Sequence, residues 1–266
     1  MNSICNICNS GTKNIFNAKI LNKYNIDYYQ CNHCDFVQTE KPYWLAEAYD
    51  NPMNYTDTGI MLRNERSSKI LTSLLFLFFD VHKKYLDYAG GYGIFTRIMR
   101  DKGFDFYWTD PYTKNLLSRG FEKKDGDQYY LVTSFESFEH FENPMEEIAK
   151  IFKFSKNVVF STELIPANLP SPKDWWYYGT EHGQHISIYS KKALQIIAEK
   201  YKTHYYSLGN IHFFSENKIG TFSSLFLKFK YAKHVLYLSY FLFRLFTKSK
   251  TFSDMNDLKS TTLHSN

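Results

Sequence analysis

The stretch Lys84-Tyr85-Leu86-Asp87-Tyr88-Ala89-Gly90-Gly91-Tyr92-Gly93 decides the fold of this chain. Lys84–Tyr88 is typical of a short buried strand, and the glycine-rich turn leads into a helix predicted over Ile94–Lys102, which Gly103 ends. A second strand is predicted over Phe104–Asp110. Because a strand, a turn, a helix and a second strand begin a βαβ unit, we expect an α/β fold with a mostly parallel sheet covered on both faces.

A glycine-rich turn after a strand brings backbone N–H groups to the sheet edge, where a ligand can approach closely. The nicotinamide fingerprint G-x-G-x-x-G is incomplete here, because Thr96 stands at its third glycine position. Asp87, four residues before Gly91, would oppose a diphosphate but suits a cation such as S-adenosylmethionine, which has no phosphate. Asp110 closes the next strand 17 residues after Gly93, where a carboxylate accepts both hydroxyls of a ribose.

The four cysteines form two C-x-x-C pairs, Cys5-Asn-Ile-Cys8 and Cys31-Asn-His-Cys34, separated by 22 residues. This spacing is typical of a zinc ribbon, in which four thiolates hold one Zn²⁺ tetrahedrally. Such a site has no open coordination position, so the ion would stabilise the fold without taking part in chemistry. Two disulfides or a redox pair are the alternatives, and His33 could replace one cysteine ligand.

The rest of the chain supplies further helices and strands around this start. Only 18 residues separate Asp110 from Tyr129, so the second helix and the third strand are expected to be abbreviated. We therefore predict a doubly wound sheet of seven strands with a small N-terminal zinc ribbon. Helices are expected over Arg63–Phe79, after Asn143-Pro144 and after Ser190, and strands over Tyr129–Ser134, Asn157–Thr162, Thr203–Ser207 and Ile211–Ser215.

Three segments together resemble the class I S-adenosylmethionine-dependent methyltransferases over about residues 35–215: Leu86–Gly93, Asp110, and Thr133–Pro144 with its Glu-His-x-x-x-Pro ending. Ala89 departs from the family by replacing its usual first glycine, and Tyr130 by replacing an aspartate. Alanine costs little if the local φ is negative, so cofactor binding is expected to survive. The resemblance implies that the cofactor is held by Asp87, Ala89, Gly90, Gly91, Gly93, Asp110 and Phe135.

The cysteine module adds a resemblance to sugar C-methyltransferases, which begin with two C-x-x-C pairs followed by a strand similar to Phe36-Val37-Gln38. That family implies a sugar acceptor. His185 matches the second histidine of its His-Glu-His-x-x-x-x-Ser pattern, but Gly183 and Gln184 occupy the first two positions. Abstraction of a carbon-bound proton needs a strong positioned base, whereas a hydroxyl needs only a histidine, so O-methylation is favoured over C-methylation.

The long connection 163–189 follows the fifth strand at the edge where parallel sheets bind ligands, and its length is typical of a binding lid. The candidate general bases are His140, His182 and His185, with Glu181 beside His182 as a further catalytic candidate. His140 has the alternative role of bonding backbone at a helix end. Rings for stacking on a sugar are Trp175, Trp176 and Tyr178, although adjacent tryptophans can also simply pack a lid closed.

The 266-residue chain is 19% aromatic and carries a formal charge of +5. Between Asn217 and Ser253 it has seven Lys or Arg and no acid, so the remainder sums to about −2. Leu225–Phe246 reads either as a basic amphipathic segment on an anionic membrane or as a terminal helix packed on the domain. Few cysteines and no leader at the N-terminus favour a cytoplasmic protein, with peripheral contact at the inner membrane face through residues 225–246.

These observations predict four segments: a zinc ribbon at 1–40, a helical linker at 41–84, a methyltransferase domain at 85–216, and a basic aromatic segment at 217–266. The predicted function is S-adenosylmethionine-dependent methyl transfer, assisted by a histidine, to a sugar or a nucleotide-linked or lipid-linked saccharide in polysaccharide biosynthesis. The alternatives are an RNA methyltransferase whose ribbon binds the nucleic acid, and a non-catalytic membrane-associated scaffold. A nucleic-acid partner is disfavoured because an arginine-rich stripe is absent.

Overall fold

The computed structural model describes residues 4–50 and 57–263, with the backbone alone for 261–263. Parts of the predicted linker (51–56) and of the predicted tail (264–266) lie outside the described residues. The chain forms two compact units. The first unit comprises Met1–Asp57 and Phe135–Lys218, and the second comprises Thr58–Ser134 and Ile219–Asn266.

Ten strands belong to two sheets, one of four strands and one of six. The strands are β1 (Thr12–Ile20), β2 (Tyr24–Cys31), β3 (Val37–Thr39), β4 (Lys84–Tyr88), β5 (Asp105–Thr109), β6 (Leu131–Ser134), β7 (Val158–Ser161), β8 (Ser187–Ile188), β9 (His204–Leu208) and β10 (Ile211–Ser215).

Eight α-helices and three short 3₁₀ turns are found among the described residues. The helices are α1 (Leu45–Ala48), α2 (Ile60–Phe78), α3 (Ile94–Asp101), α4 (Pro144–Phe154), α5 (Lys191–Lys200), α6 (Thr221–Leu227), α7 (Ala232–Phe243) and α8 (Thr251–Leu263). The 3₁₀ turns are Phe138–His140, Trp176–Tyr178 and Arg244–Phe246. In the part of the chain that the structure describes, no helix combines the length and the apolar character needed to cross a bilayer.

In the first unit, the four-stranded antiparallel sheet has the order β1-β2-β3-β8. The edge strand β8 belongs to the long connection 163–189. Its Ile188 pairs with Val37 of β3. The apolar face of this sheet forms a core that includes Trp44, Tyr177 and Tyr178. The same unit contains the antiparallel strands β7, β10 and β9, in which Phe213 pairs with both Val159 and Tyr206.

In the second unit, β4 is the middle of three parallel strands, and Asp87 pairs with Trp108 of β5 and with Thr133 of β6. A buried ion pair joins α8 to α3: the Arg100 guanidinium lies 2.7 Å from the Asp254 carboxylate, and both side chains are 3% exposed. A bidentate pair of this kind fixes the relative position of two helices because breaking it would leave a buried charge uncompensated.

The methyltransferase-type mixed sheet has six strands among the described residues, in the order β5-β4-β6-β7-β10-β9, so the prediction of seven strands is wrong. The missing strand is the third, for which the short segment between Asp110 and Tyr129 has too few residues. That segment, which the structure describes in full, contains no helix, and a single parallel bridge from Trp108 to Glu122 stands in place of the strand. The terminal hairpin expected from the sequence is present as β9 and β10.

Candidate active site

The glycine turn after β4 has the tight, open geometry that a bound nucleoside needs. Gly91 and Gly93 have φ angles of +53° and +83°, which side-chain-bearing residues rarely adopt. A Cβ atom at Gly93 would lie 2.6 Å from Asn115 Oδ1, whereas one at Gly91 would meet no atom within 4 Å. A Cβ at Gly90 would lie 2.7 Å from the Trp108 ring. The turn is therefore closely packed at Gly90 and Gly93 and open at Gly91.

Asp87 lies beneath this turn and is 2% exposed. Its two carboxylate oxygens accept hydrogen bonds from the hydroxyls of Thr96 and Thr133, each at 2.9 Å. Burial raises the pKa of the Asp87 carboxyl to about 7, and the two hydroxyls oppose that rise. A cation bound at the turn would favour the ionised carboxylate, so the environment of Asp87 suits a positively charged ligand.

Asp110 follows β5 and is hydrogen-bonded to the glycine turn. Its Oδ2 accepts a 2.9 Å hydrogen bond from the Gly91 amide, and its Oδ1 accepts 2.8 Å bonds from the amides of Tyr112 and Thr113. Each carboxylate oxygen has two lone pairs, so Oδ2 retains the capacity to accept a ribose hydroxyl, whereas both lone pairs of Oδ1 are already used by the two amides. The residues present therefore fit S-adenosylmethionine, the cofactor that the methyltransferase fold implies.

Ala89 corrects one expectation, because its φ is +56° and not negative. The left-handed conformation costs a non-glycine residue roughly 1 kcal/mol. The turn therefore holds a strained alanine at the position where the resembling family has glycine. Phe135, the remaining predicted cofactor residue, is half-buried in the first unit, just before the left-handed Glu136.

The three candidate histidines come together in the first unit. The ring of His185 lies 5.0 Å from that of His140 and 4.8 Å from that of His182, measured between centroids. His140 ends the 3₁₀ turn Phe138–His140, and the other two belong to the long connection. Gly179, at φ +56°, makes room for the His182 ring, which any side chain at that position would overlap. Glu181 is exposed.

Hydrogen bonds indicate which ring nitrogen carries the proton in two of these three histidines. His185 Nδ1 lies 2.6 Å from the Tyr177 carbonyl oxygen, so Nδ1 donates and Nε2 keeps a lone pair. His182 has the opposite tautomer, since its Nδ1 accepts a 3.2 Å hydrogen bond from the backbone N–H of Gln184. His140 Nδ1 has two partners, the Gln184 carbonyl at 3.2 Å and the Tyr49 hydroxyl at 3.0 Å, and these do not fix one tautomer. Only His185 has its Nε2 defined as a base.

Burial keeps the cluster neutral. It lowers the pKa of His140 to about 4 and that of His185 well below its usual range, and neighbouring histidines add to both shifts. Burial also lowers the pKa of His182, although Glu181 and Asp57 oppose it. At neutral pH the His185 imidazole is therefore uncharged and able to accept a proton.

The sequence reasoning missed Glu139, which is 1% exposed and lies next to His140. Ligand atoms of Glu139, His140 and His185 lie within 4.8 Å of one another, close enough to hold a divalent cation. The Oε2 atom of Glu139 has no hydrogen-bond partner among the described residues. Burial, with a contribution from Glu136, raises the pKa of Glu139 to about 8. The Glu-His pair of residues 139 and 140 was the available signal, but its burial was not readable from sequence.

The aromatic rings predicted to bind a substrate have different environments. Tyr178 is fully buried in the core of the four-stranded sheet, where its ring packs against Phe16 and Tyr28. Trp175 is half-buried and packs edge-on against Tyr178, whereas Trp176 is 75% exposed. Trp176 is therefore the ring of this group with an accessible face.

The four cysteines converge at the N-terminal end of the first unit. They are free thiols, and their Sγ atoms lie within 4.8 Å of one another. Three pairs approach to between 3.4 and 3.6 Å: Cys8 with Cys31, Cys8 with Cys34, and Cys5 with Cys34. These separations are too long for disulfides and match the edges of a tetrahedron with Zn–S bonds of about 2.3 Å. The cluster has the donor set and spacing of a structural zinc site.

The comparisons with known proteins identify the class of this chain. A family model described as a methyltransferase domain matches residues 62–202, which is more than half of the chain. The chain therefore belongs to the methyltransferase-domain family, and it is an S-adenosylmethionine-dependent methyltransferase. No curated protein matches it in sequence.

Several solved structures are similar to this chain at low sequence identity. Magnesium protoporphyrin IX methyltransferase from Synechocystis PCC 6803, with bound SAH, has 12% identity and a TM-score of 0.42, covering 64% of this chain and 90% of its own. An O-methyltransferase family protein from Burkholderia thailandensis has 14% identity and a TM-score of 0.46, covering 66% and 64%. The plantazolicin methyltransferase has 15% identity and a TM-score of 0.44, covering 62% and 77%.

Proposed function

We propose that this methyltransferase transfers a methyl group to a hydroxyl of a small-molecule acceptor, a sugar or a nucleotide-linked or lipid-linked saccharide. The glycine turn of the second unit would hold the cofactor through Asp110 and Gly91, and the histidine cluster of the first unit would serve the acceptor. The observation that carries the proposal is the tautomer of His185, whose Nδ1 is committed to the Tyr177 carbonyl at 2.6 Å.

S-adenosylmethionine supplies, when bound, an activated methyl group for in-line displacement by a nucleophile. His185 Nε2 would remove the proton of the attacking hydroxyl, because it has a lone pair at neutral pH. An imidazole of low pKa is a weak base. It can assist a hydroxyl, whose proton leaves as the oxygen attacks, but it is poorly suited to a carbon-bound proton. This difference favours O-methylation over C-methylation.

A saccharide acceptor is supported by one aromatic and one polar group of the first unit. The Trp176 ring is exposed enough to stack on a flat sugar face. The buried Glu139 carboxyl, with its unpartnered Oε2, offers a hydrogen-bond partner for a second hydroxyl of the same molecule. Both features belong to the first unit, as does His185.

Zn²⁺ in the four-cysteine cluster would act on stability alone. Four thiolates complete its coordination, so no position is left for a reacting group. The ion would hold the loop before β1 to the end of β2, because Cys5 and Cys8 precede the first of these strands and Cys31 ends the second. The cluster would thereby fold the N-terminal sheet whose core includes Tyr178.

The test is a release assay for S-adenosylhomocysteine with purified full-length protein, S-adenosylmethionine and separate pools of monosaccharides, nucleotide sugars, lipid-linked saccharides and RNA. The proposal predicts release with one saccharide class, and a product whose NMR spectrum shows the new methyl group on oxygen. A methyl group on carbon would contradict the predicted position. Release with RNA, and with none of the saccharide pools, would contradict the acceptor class.

A further inference from the structure

The C-terminal part of the second unit exposes an unusual number of large apolar side chains. Phe222 is 90% exposed, Leu245 is 78% exposed and Phe246 is 71% exposed. Seven more are exposed between them: Leu225, Phe229, Tyr231, Val235, Leu238, Phe241 and Leu242. Four cations are interspersed among them: Lys228, Lys230, Lys233 and Arg244. We call these ten apolar side chains and four cations the basic apolar surface. Ten such residues within 25 positions exceed the scattered exposure normal for a folded protein.

Helix α7 has two apolar faces, and the described residues of the second unit cover one of them. Ala232, Leu236 and Tyr240 repeat at a spacing of four and are buried. This inner face lies on α2, where Ser73 Oγ donates a 2.6 Å hydrogen bond to the Leu236 carbonyl. The outer face carries Val235, Leu238 and Leu242, followed by Leu245, at spacings of three, four and three. A helix that buries one apolar face on α2 and exposes a second apolar face has surface of the kind that marks a binding site.

Charge is arranged on the same segment. The seven cations between Asn217 and Ser253 have no acidic residue among them, and Lys228, Lys230 and Lys248 are exposed. Apolar side chains interspersed with cations alone are the composition of helices that lie in the interface of an anionic bilayer. Two copies of this surface would instead bring like charges together, which opposes self-association.

We propose that the basic apolar surface binds the surface of an anionic lipid bilayer, with the outer face of α7 in the headgroup region. The lysines face acidic headgroups, and the apolar side chains enter the boundary with the acyl chains. The helix lies on the bilayer and does not cross it, because α7 has 12 residues, well short of the ~20 that span a membrane. This inference concerns lipid binding and does not depend on the acceptor proposed above.

The test is co-sedimentation of the full-length protein with vesicles, using phosphatidylcholine alone or phosphatidylcholine mixed with phosphatidylglycerol. The wild type is expected to bind the mixed vesicles and to be released by high salt. Lys228→Gln with Lys230→Gln should weaken binding roughly 25-fold, at about fivefold per cation. Leu238→Ser with Leu242→Ser should weaken it at least about tenfold. All four side chains are exposed, so the fold should persist.

Matched controls separate the surface from general charge and apolar character. Lys13→Gln with Lys19→Gln removes two exposed cations from the first unit, and Leu62→Ser removes an exposed apolar side chain from α2; both should bind as the wild type does. The proposal is overturned if wild type binds neither vesicle, if it binds both equally, or if the control variants lose as much affinity as the surface variants. Self-association in vesicle-free solution that Leu238→Ser with Leu242→Ser abolishes would assign the surface to a second copy and also overturn it.

Discussion

The Nδ1 atom of His185 lies 2.6 Å from the carbonyl oxygen of Tyr177. A carbonyl only accepts, so this contact places the ring proton on Nδ1 and the lone pair on Nε2. The Tyr177 side chain is buried and its hydroxyl contacts the Thr162 hydroxyl at 2.9 Å, so the carbonyl that orients His185 belongs to a fixed part of the first unit. A base oriented in this way needs no rearrangement before it accepts a proton.

His185→Gln should lower kcat for methyl transfer by about 100-fold or more, because it removes the proton acceptor. Affinity for S-adenosylmethionine should be unchanged. The wild-type rate should stay independent of pH through the usual histidine range and fall only in more acidic solution, since burial lowers the pKa of His185 well below that range. His204→Gln, at an exposed position on β9, is the matched control and should retain wild-type activity. Full activity in His185→Gln would exclude this residue as the base.

Glu139→Gln should reduce the loss of stability that the wild type shows as pH rises from 5 to 8. The pKa of Glu139 is raised by burial to about 8 in the folded protein, above its ordinary value of 4.5. Between these values the folded state binds a proton that the unfolded state has lost, so the free energy of unfolding falls as pH rises. Glutamine has no such proton. Denaturant unfolding at pH 5 and pH 8 should therefore show a smaller decrease in the variant, by on the order of 1 kcal/mol or more.

A residual decrease is expected in Glu139→Gln, because burial also raises the pKa of Asp87, to about 7, and its contribution has the same sign. The account of Glu139 would be contradicted if variant and wild type lost the same free energy of unfolding over this pH range.

Ala89→Gly should stabilise the protein. Ala89 has a φ of +56°, a conformation that glycine adopts without strain. Relief of roughly 1 kcal/mol of strain is partly offset by the greater freedom of glycine in the unfolded chain, so a net gain of a few tenths of a kcal/mol is expected. Thermal unfolding measures it. Gly220→Ala, where the φ is −57° and a Cβ meets nothing within 4 Å, should be tolerated as a control. A loss of stability in Ala89→Gly would contradict the strained turn.

The sequence was sufficient wherever a local pattern determines the structure. A strand, a glycine turn and a helix are adjacent along the chain, so the positions of Asp87, Gly91 and Asp110 around one turn followed from their spacing. The same holds for the two C-x-x-C pairs, whose thiols come together as that spacing indicated. The hairpin of β9 and β10 is equally local.

Long-range packing determined the features that the sequence did not reveal. Tyr178 is in a core that includes Ile20 of β1 and Tyr28 of β2, so its burial depended on strands far away in sequence. Glu139 is buried although carboxylates are normally exposed, because its surroundings are set by the long connection 163–189. The number of strands was overestimated because the family pattern requires a third strand, for which the segment after Asp110 is too short.

Cys8→Ser should abolish the binding of one equivalent of zinc and destabilise the N-terminal sheet. Three thiolates and a hydroxyl form a weaker site than four thiolates, and the free energy of metal binding contributes to folding. Elemental analysis and thermal unfolding of the purified protein measure both effects. His33→Ala is the control and should retain its zinc, because His33 is exposed and the four cysteines already complete the tetrahedron. A zinc-free wild type that unfolds as stably as the zinc-loaded protein would contradict the structural role.

The most direct test of the central claim is calorimetric titration of the wild type and of Asp110→Ala with S-adenosylmethionine. Asp110 accepts a 2.9 Å hydrogen bond from the Gly91 amide. It is also the carboxylate proposed to accept a hydrogen bond from the ribose. We predict one binding site in the wild type, and affinity at least about tenfold weaker in Asp110→Ala, because the hydrogen bond from Oδ2 to the ribose and the one that holds the Gly91 amide are both lost. Asp125→Asn, at a fully exposed aspartate, should bind as the wild type does. Absence of heat and of a thermal shift in the wild type would contradict the account, as would an unchanged affinity in Asp110→Ala.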